Sequence, residues 1–271
     1  MDYHTDMNSD FDVITKKFPD DMQILRVYAI GDVHVGSPDF NEAAIRKKLK
    51  IIQEDPAGVL CLCGDLGNFG LRTSISNVYQ ESMSPKAQIE FIYRLFDPIK
   101  DRIVAAVPGN HEERVTKEVG TCPLYDLCVR WGIQDVYREN VAIIKLAFGI
   151  HHGKQQNTFI GIVTHGSTRA RHKKFIAGFD GIDFAISGHT HTAEYSPHGK
   201  IRVNSIKATA SHVPYKEIIV DANMKPGGYG LKKEYEILPP PELQYLELST
   251  YRDANYNRTV HRSMSYHAIQ I

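Results

Sequence analysis

The chain has 271 residues, 42% of them hydrophobic, enough to bury one sizeable core. Its 32 basic and 32 acidic side chains cancel, so net charge argues neither for nor against an anionic partner. No stretch approaches the ~18 consecutive apolar residues of a spanning helix, and four cysteines at these spacings make neither a disulfide framework nor a zinc knuckle. Charge is uneven: 16 basic against 10 acidic residues from Val141 onward, a net +6, leaves −6 in the first 140. The acidic start, MDYHTDMNSD, has no apolar core of a secretory signal, so a cytoplasmic, reducing location is expected. Composition leaves the oligomeric state open.

Along the chain, residues 1–22 are polar and acidic and read as a mobile tail or a strap across the surface. A strand is predicted at 24–30, then a helix over 41–54, capped by Asn41, with Ala44, Ile45, Leu49 and Ile52 on one face. The strand at 59–63 carries Cys61 and Cys63 as buried residues, and a long polar loop of the kind that is often functional covers 66–84. Pro85 opens a helix to about residue 100, with Ile89, Ile92, Tyr93 and Phe96 inward. A strand at 103–107 leads into helical segments over 112–131. The rest is strand-rich, at 141–150, 158–163, 183–187, 200–208 and 216–221, with further candidates at 234–238 and 243–249. A short basic helix interrupts it over 167–178, and residues 251–271 lack a clear period and are expected to dock as a tail. Alternating strands and helices followed by consecutive strands predict an α/β domain over 23–250 with two mixed sheets.

Five motifs close apolar runs: GDVH at 31–34, GDLGN at 64–68, GNHE at 109–112, TH at 164–165 and GHTH at 188–191. In open α/β sheets ligands bind at the carboxyl ends of strands. Asp32, His34, Asp65, Asn110, His111, His165, His189 and His191 therefore share one rim. Carboxylates, an amide and several imidazoles are too polar to be buried together without an ion. Residues i and i+2 of an extended segment face one side, so Asp32 and His34 can ligate one ion, and His189 and His191 reach the same cleft. Asp65, alone after its strand, is the natural bridge if two cations bind. Two ions roughly 3.5–4 Å apart can clamp a phosphoryl group and generate hydroxide near neutral pH. Oxygen and nitrogen ligands without thiolate suit Mn²⁺, Fe, Zn²⁺ or Ni²⁺ rather than Ca²⁺ or a Cys₄ zinc site.

In order and wording the motifs resemble those of the calcineurin-like metallophosphoesterase superfamily: D-x-H, GD-x-x, GNH-[DE], H and GH-x-H, over about residues 24–221. The resemblance implies a four-layer α/β/β/α sandwich. It implies Asp32, His34, Asp65 and His191 on one ion, and Asp65, Asn110, His165 and His189 on the other, with Mn²⁺ the first expectation. It leaves His111 uncoordinated, donating to the substrate oxygen or the leaving group, with Glu112 orienting or tuning it and Asn110 helping to hold the phosphate. The reaction implied is phosphoester hydrolysis by in-line attack of a metal-bridging hydroxide. No ligand position is degraded, which favours an enzyme over a non-catalytic metal-binding scaffold.

The motifs also bear on substrate. Members resembling protein phosphatases carry arginines in GD-x-x-D-R-G and R-G-N-H-E. Here the strings are GDLGNFG and Pro108-Gly109-Asn110-His111-Glu112, and GHTH is typical of the phosphodiesterase and exonuclease-like branch. A diester carries one charge and needs less cationic clamping than a monoester dianion. A diester, in nucleic acid or a nucleotide, is the expected substrate, with a phosphomonoester as the alternative. Asn68 reads equally as a phosphate contact or a turn residue. The basic stretch after His165, with Arg169, Arg171 and His172, reads as a polyanion contact or as a solvated helix face.

Overall fold

The computed structural model describes residues 11–72, 74, 78–150, 156–225, 240–252 and 260–271. In chain order its strands and α-helices are β1 (Ile14–Lys17), β2 (Ile24–Ile30), α1 (Glu42–Glu54), β3 (Gly58–Leu62), α2 (Pro85–Phe96), β4 (Ile103–Ala106), α3 (Asn110–Val119), α4 (Pro123–Trp131), β5 (Val141–Ile150), β6 (Gln156–Thr164), α5 (Arg169–Ala177), β7 (Phe184–Ser187), β8 (Glu194–Asn204), β9 (Thr209–Ile219), β10 (Glu242–Arg252) and β11 (Val260–Gln270). Among the described residues, no helix is long and apolar enough to cross a membrane.

These strands make two mixed sheets, ordered β11-β10-β2-β3-β4 and β1-β5-β6-β7-β9-β8. In the first, β2, β3 and β4 run parallel, joined by crossovers through α1 and α2, and the β10–β11 hairpin adds antiparallel. In the second, β6, β7 and β9 run parallel. Val27, Ile30 and Leu62 of one sheet share a core with Leu146, Phe148, Phe159 and Ile218 of the other, and helices cover the outer faces. This is the expected α/β/β/α sandwich. Every residue of β3, β4 and β7 is buried, so only their carboxyl ends reach solvent and carry chemistry.

Local sequence sets the helices. Asn41 accepts the Ala44 N–H at the start of α1, and Ala44, Ile45, Leu49 and Ile52 are buried as the spacing requires. Lys48 lies in the same stripe, its ammonium on the Asp221 carboxylate at 2.8 Å. Ser84 caps α2 ahead of Pro85. That helix stops at Phe96 and tightens into a 3₁₀ turn over Asp97–Arg102, because Pro98 has no N–H to continue it. Ile92 and Phe96 face inward as expected, but Ile89 and Tyr93 are only half-buried.

Two strands lie in the terminal segments, where the sequence reading placed none. Residues 14–17 pair with β5 at a sheet edge, so this part of the amino-terminal segment is a strand laid along the sheet. Residues 260–270 pair with β10 along their whole length. Met264 and Tyr266 on one face and Ile269 on the other pack on the core, but Ser263, Ser265 and His267 stand between them, a mixture too weakly apolar to announce a strand. The expected strand at 200–208 begins earlier, at Glu194, and turns back at 205–208 into β9. The candidate strand at 234–238 lies outside the described residues.

Candidate metal centre

All five motifs meet at one end of the two sheets. Asp32 and His34 follow β2, Asp65 follows β3, Asn110 and His111 open α3 after β4, His165 follows β6, and His189 and His191 follow β7. The turns that aim them are strained: Asp32, His34, Asp65, His189 and His191 have φ of 49°, 51°, 53°, 74° and 61°. Left-handed backbone at non-glycine residues costs roughly 1–2 kcal/mol each and persists where surrounding structure over-determines it, commonly at functional sites. Glycines let the turns approach one another. A Cβ on Gly109 would meet Asp65 Oδ1 at 2.1 Å, and one on Gly188 would meet Asp32 Oδ2 at 2.4 Å.

The side chains fall into two groups joined by Asp65. In the first, His34 Nε2 lies 3.1 Å from His191 Nε2, and Asp32 Oδ1 lies 3.8 Å and 3.3 Å from these two nitrogens. In the second, Asn110 Oδ1 is 3.0 Å from both His165 Nε2 and His189 Nδ1, which are 3.2 Å apart. Asp65 Oδ2 is 3.3 Å from His165 Nε2. The Asp65 carboxylate also shares one potential cation site with His34 and His111, and another with Asp32 and His165.

These atoms fit divalent cations. His165 donates Nδ1–H to the Cys63 carbonyl at 2.7 Å, which leaves the Nε2 lone pair facing the cluster. Asp32 Oδ1 is fully buried and accepts no hydrogen bond. A buried carboxylate oxygen whose near polar neighbours are imidazole nitrogens suits a cation. The donor set contains no sulfur and is one that several first-row divalent metals accept.

Electrostatics agree. Burial alone would raise the Asp65 carboxyl, but His165, His111 and His34 outweigh it and hold it well below the usual carboxylate range. Burial pulls His165 down, yet Asp65 and Asp32 hold it up at about 10. Burial, reinforced by His111 and His191, depresses His34 to about 3. Without a cation the carboxylates keep a proton on His165 as counter-charge; a metal would take its place.

Supporting groups complete the site. Glu112 is buried, and its carboxylate accepts N–H groups from Asp65, Leu66 and Gly109 at 2.8–2.9 Å. It therefore holds the GD and GN turns together. Burial and then the Asp65 charge push it up to about 7. His111 Nδ1 donates to the Asn68 carbonyl at 2.6 Å, and its Nε2 lies 3.8 Å from Asp65 Oδ2. Asn223 donates its N–H to the Asp32 carbonyl at 2.9 Å, a support that no motif announces. Half-buried Arg114, one turn along α3 from His111, feels the charges of Asp65, Glu112 and Glu81 and brings positive charge to this rim.

The expected substrate contacts are placed differently. The Asn68 side chain donates to Glu81 rather than pointing into the cluster. Arg169 is paired with Glu194 at 2.8 Å. His172 is 3% exposed, turned inward to the Glu217 carboxylate at 3.0 Å. It shares the buried face of α5 with Ile176, one turn on. Arg171 is exposed.

A family model described as calcineurin-like phosphoesterase matches residues 25–193, more than half of the chain and every motif above. The chain belongs to the calcineurin-like phosphoesterase family. Two solved structures are similar at low identity. Vps29 of Chaetomium thermophilum is 11% identical over 91% of this chain and 97% of its own, with a TM-score of 0.36. The NAD nucleotidase NadN of Haemophilus influenzae is 9% identical over 91% of this chain and 50% of its own, with a TM-score of 0.42. No curated protein matches the chain significantly. For this calcineurin-like chain, family membership and the gathered ligands establish candidate metal binding and a phosphoesterase lineage.

Proposed function

We propose that the protein is a metal-dependent phosphodiesterase that holds two divalent cations, Mn²⁺ in the first instance. The observation that carries the reading is the intact double cluster, with Asp32, His34 and His191 on one side, Asn110, His165 and His189 on the other, and Asp65 between them. When bound, such ions neutralise phosphoryl oxygens and make water a nucleophile near neutral pH. The chain's own groups do the rest. Asn110, beside His165 and His189, would help to steady a phosphoryl oxygen. His111, held through Nδ1–H by the Asn68 carbonyl, turns Nε2 toward the cluster; as the imidazolium it would give its Nε2 proton to the leaving oxygen and return to the neutral Nδ1–H form. Glu112 keeps both turns in register.

A diester is favoured over a monoester because the family's phosphatase arginines are missing from GDLGNFG and from Pro108. Activity on an aryl diester should exceed that on the matching aryl monoester; the reverse ranking makes the protein a phosphomonoesterase.

Nucleic acid or a nucleotide is the substrate class this reading favours, and the cations of α5 support it. With Arg169 neutralised by Glu194, the exposed set is Arg171, Lys173 and Lys174. Replacing these three by Gln should weaken hydrolysis of an oligonucleotide several-fold and steepen no other reaction. Hydrolysis of a small chromogenic diester should be unchanged, and only the oligonucleotide reaction should fall with salt, because it alone releases condensed counterions. Equal effects on both substrates would reduce the stretch to a solvated helix face.

A further inference from the structure

The loop that follows Asp65 is tightly tied. Phe69 has φ 42°, a conformation that non-glycine residues avoid, and its ring is buried. A Cβ on Gly67 would meet that ring at 2.3 Å, and one on Gly70 would meet the Glu81 carboxylate at 2.5 Å. What holds this run is half-buried Glu81. One of its carboxylate oxygens accepts the Asn68 side-chain N–H, and the other accepts the Gln88 Nε2–H at 2.8 Å. Gln88, fully buried on α2, accepts the Phe69 N–H on Oε1 at 2.9 Å and donates to the Met83 carbonyl at 3.0 Å. These bonds fix one carbonyl. The Asn68 oxygen sits 2.6 Å from His111 Nδ1. A carbonyl only accepts, so the ring must donate from Nδ1, which leaves Nε2 directed at the cluster.

We propose that Glu81 is a positioning residue which, through Asn68, sets the ring orientation and tautomer of His111. No sequence motif contains it, and it touches none of the candidate ligands. The chain thus orients its proton donor with a main-chain carbonyl that a distant carboxylate holds in place. The inference rests on the reading of His111 as the proton donor, and its test keeps the two apart.

Glu81→Gln keeps size and shape but replaces an acceptor by a donor, so an N–H faces an N–H at Asn68 or at Gln88. Combining it with Asn68→Asp reverses the polarity of that pair and restores one donor to one acceptor. In the single variant, kcat for a diester with a poor leaving group should fall about ten-fold while KM and metal content stay unchanged. The loss should shrink for a p-nitrophenolate leaving group, and the double variant should regain most of it. The side-chain nitrogen resonances of His111 in metal-free protein give a readout independent of turnover. They should report a proton on Nδ1 in the parent and the double variant, and a tautomer mixture in Glu81→Gln. Unchanged His111 resonances with an unchanged leaving-group profile overturn the proposal. So does an equal loss on all leaving groups accompanied by loss of metal, which makes Glu81 a loop brace only. Altered resonances in a parent protein that turns over no ester with any metal support the positioning and overturn the proton-donor reading.

Discussion

Asp65→Asn is expected to lose one or both metals and at least ~10²-fold in turnover, while the fold survives. Asp65 is the link between the two ligand groups: its Oδ2 lies 3.3 Å from His165 Nε2, and it shares potential cation sites with both Asp32 and His34. The amide that replaces the carboxylate carries no charge and presents one oxygen instead of two, so it cannot serve two cations. Its N–H₂ would also face imidazole nitrogens that Asp65 now keeps electrostatically satisfied. The backbone should hold, because the Asp65 and Leu66 N–H groups are anchored by Glu112, not by the substituted side chain. Elemental analysis, with circular dichroism as the folding control, decides the matter. Unchanged metal content with parental activity sinks the assignment of Asp65 as the bridge.

The second large effect separates chemistry from metal binding. His111→Ala should retain both metals and lower kcat on the order of 10²–10⁴-fold, the usual worth of a positioned acid. His111 Nε2 reaches Asp65 Oδ2 only at 3.8 Å, longer than the 3.3 Å from His165 to the same oxygen. It also belongs to one set, with His34 and Asp65, that could itself hold a cation, so the outcome discriminates between two concrete roles. A proton donor matters least when the leaving group needs no proton. The loss should therefore be smallest for p-nitrophenolate and largest for an alkoxide. Loss of metal in this variant would make His111 a ligand and move the acid elsewhere.

The ligand set was legible because each member ends an apolar run. Buried strands such as β3, β4 and β7 leave nothing polar until their last residue, so the first carboxylate or imidazole after them must lie on the rim. The i, i+2 argument named residues that the structure does bring together, for a different reason than the one it assumed. Asp32, His34, His189 and His191 are not extended; they adopt left-handed turns, and it is those turns that bring the rings together. Groups that act through the backbone were invisible. Glu112 was legible as a neighbour of His111, but its work on the N–H groups of Asp65 and Gly109 depends on a contact between two loops. Glu81 and Gln88 lie in a loop and on a helix face where polar residues carry no period to betray burial.

Residues on α5 show the opposite error. A run of basic residues reads as one charged face, but helical spacing divides it. His172 and Ile176 are one turn apart and both are buried, with Glu217 of β9 waiting opposite the imidazole. Arg169 reaches Glu194 at the start of β8. Periodicity within the helix held a signal for His172, whereas the partner of Arg169 came from a strand that the sequence placed several residues too late. The edge strand β11 was missed because its core contacts, Met264 and Tyr266 on one face and Ile269 on the other, are spread among polar residues and make no regular alternation.

The most direct test of the account is the metal stoichiometry of the purified, chelator-stripped protein after reloading with Mn²⁺, read together with turnover of a chromogenic phosphodiester. Two ions per chain, with turnover absent from the stripped protein and restored as the second ion binds, is the result the Asp65-linked double cluster predicts. A reloaded, folded protein that binds no more than one ion, or one whose turnover is indifferent to chelation, would contradict it.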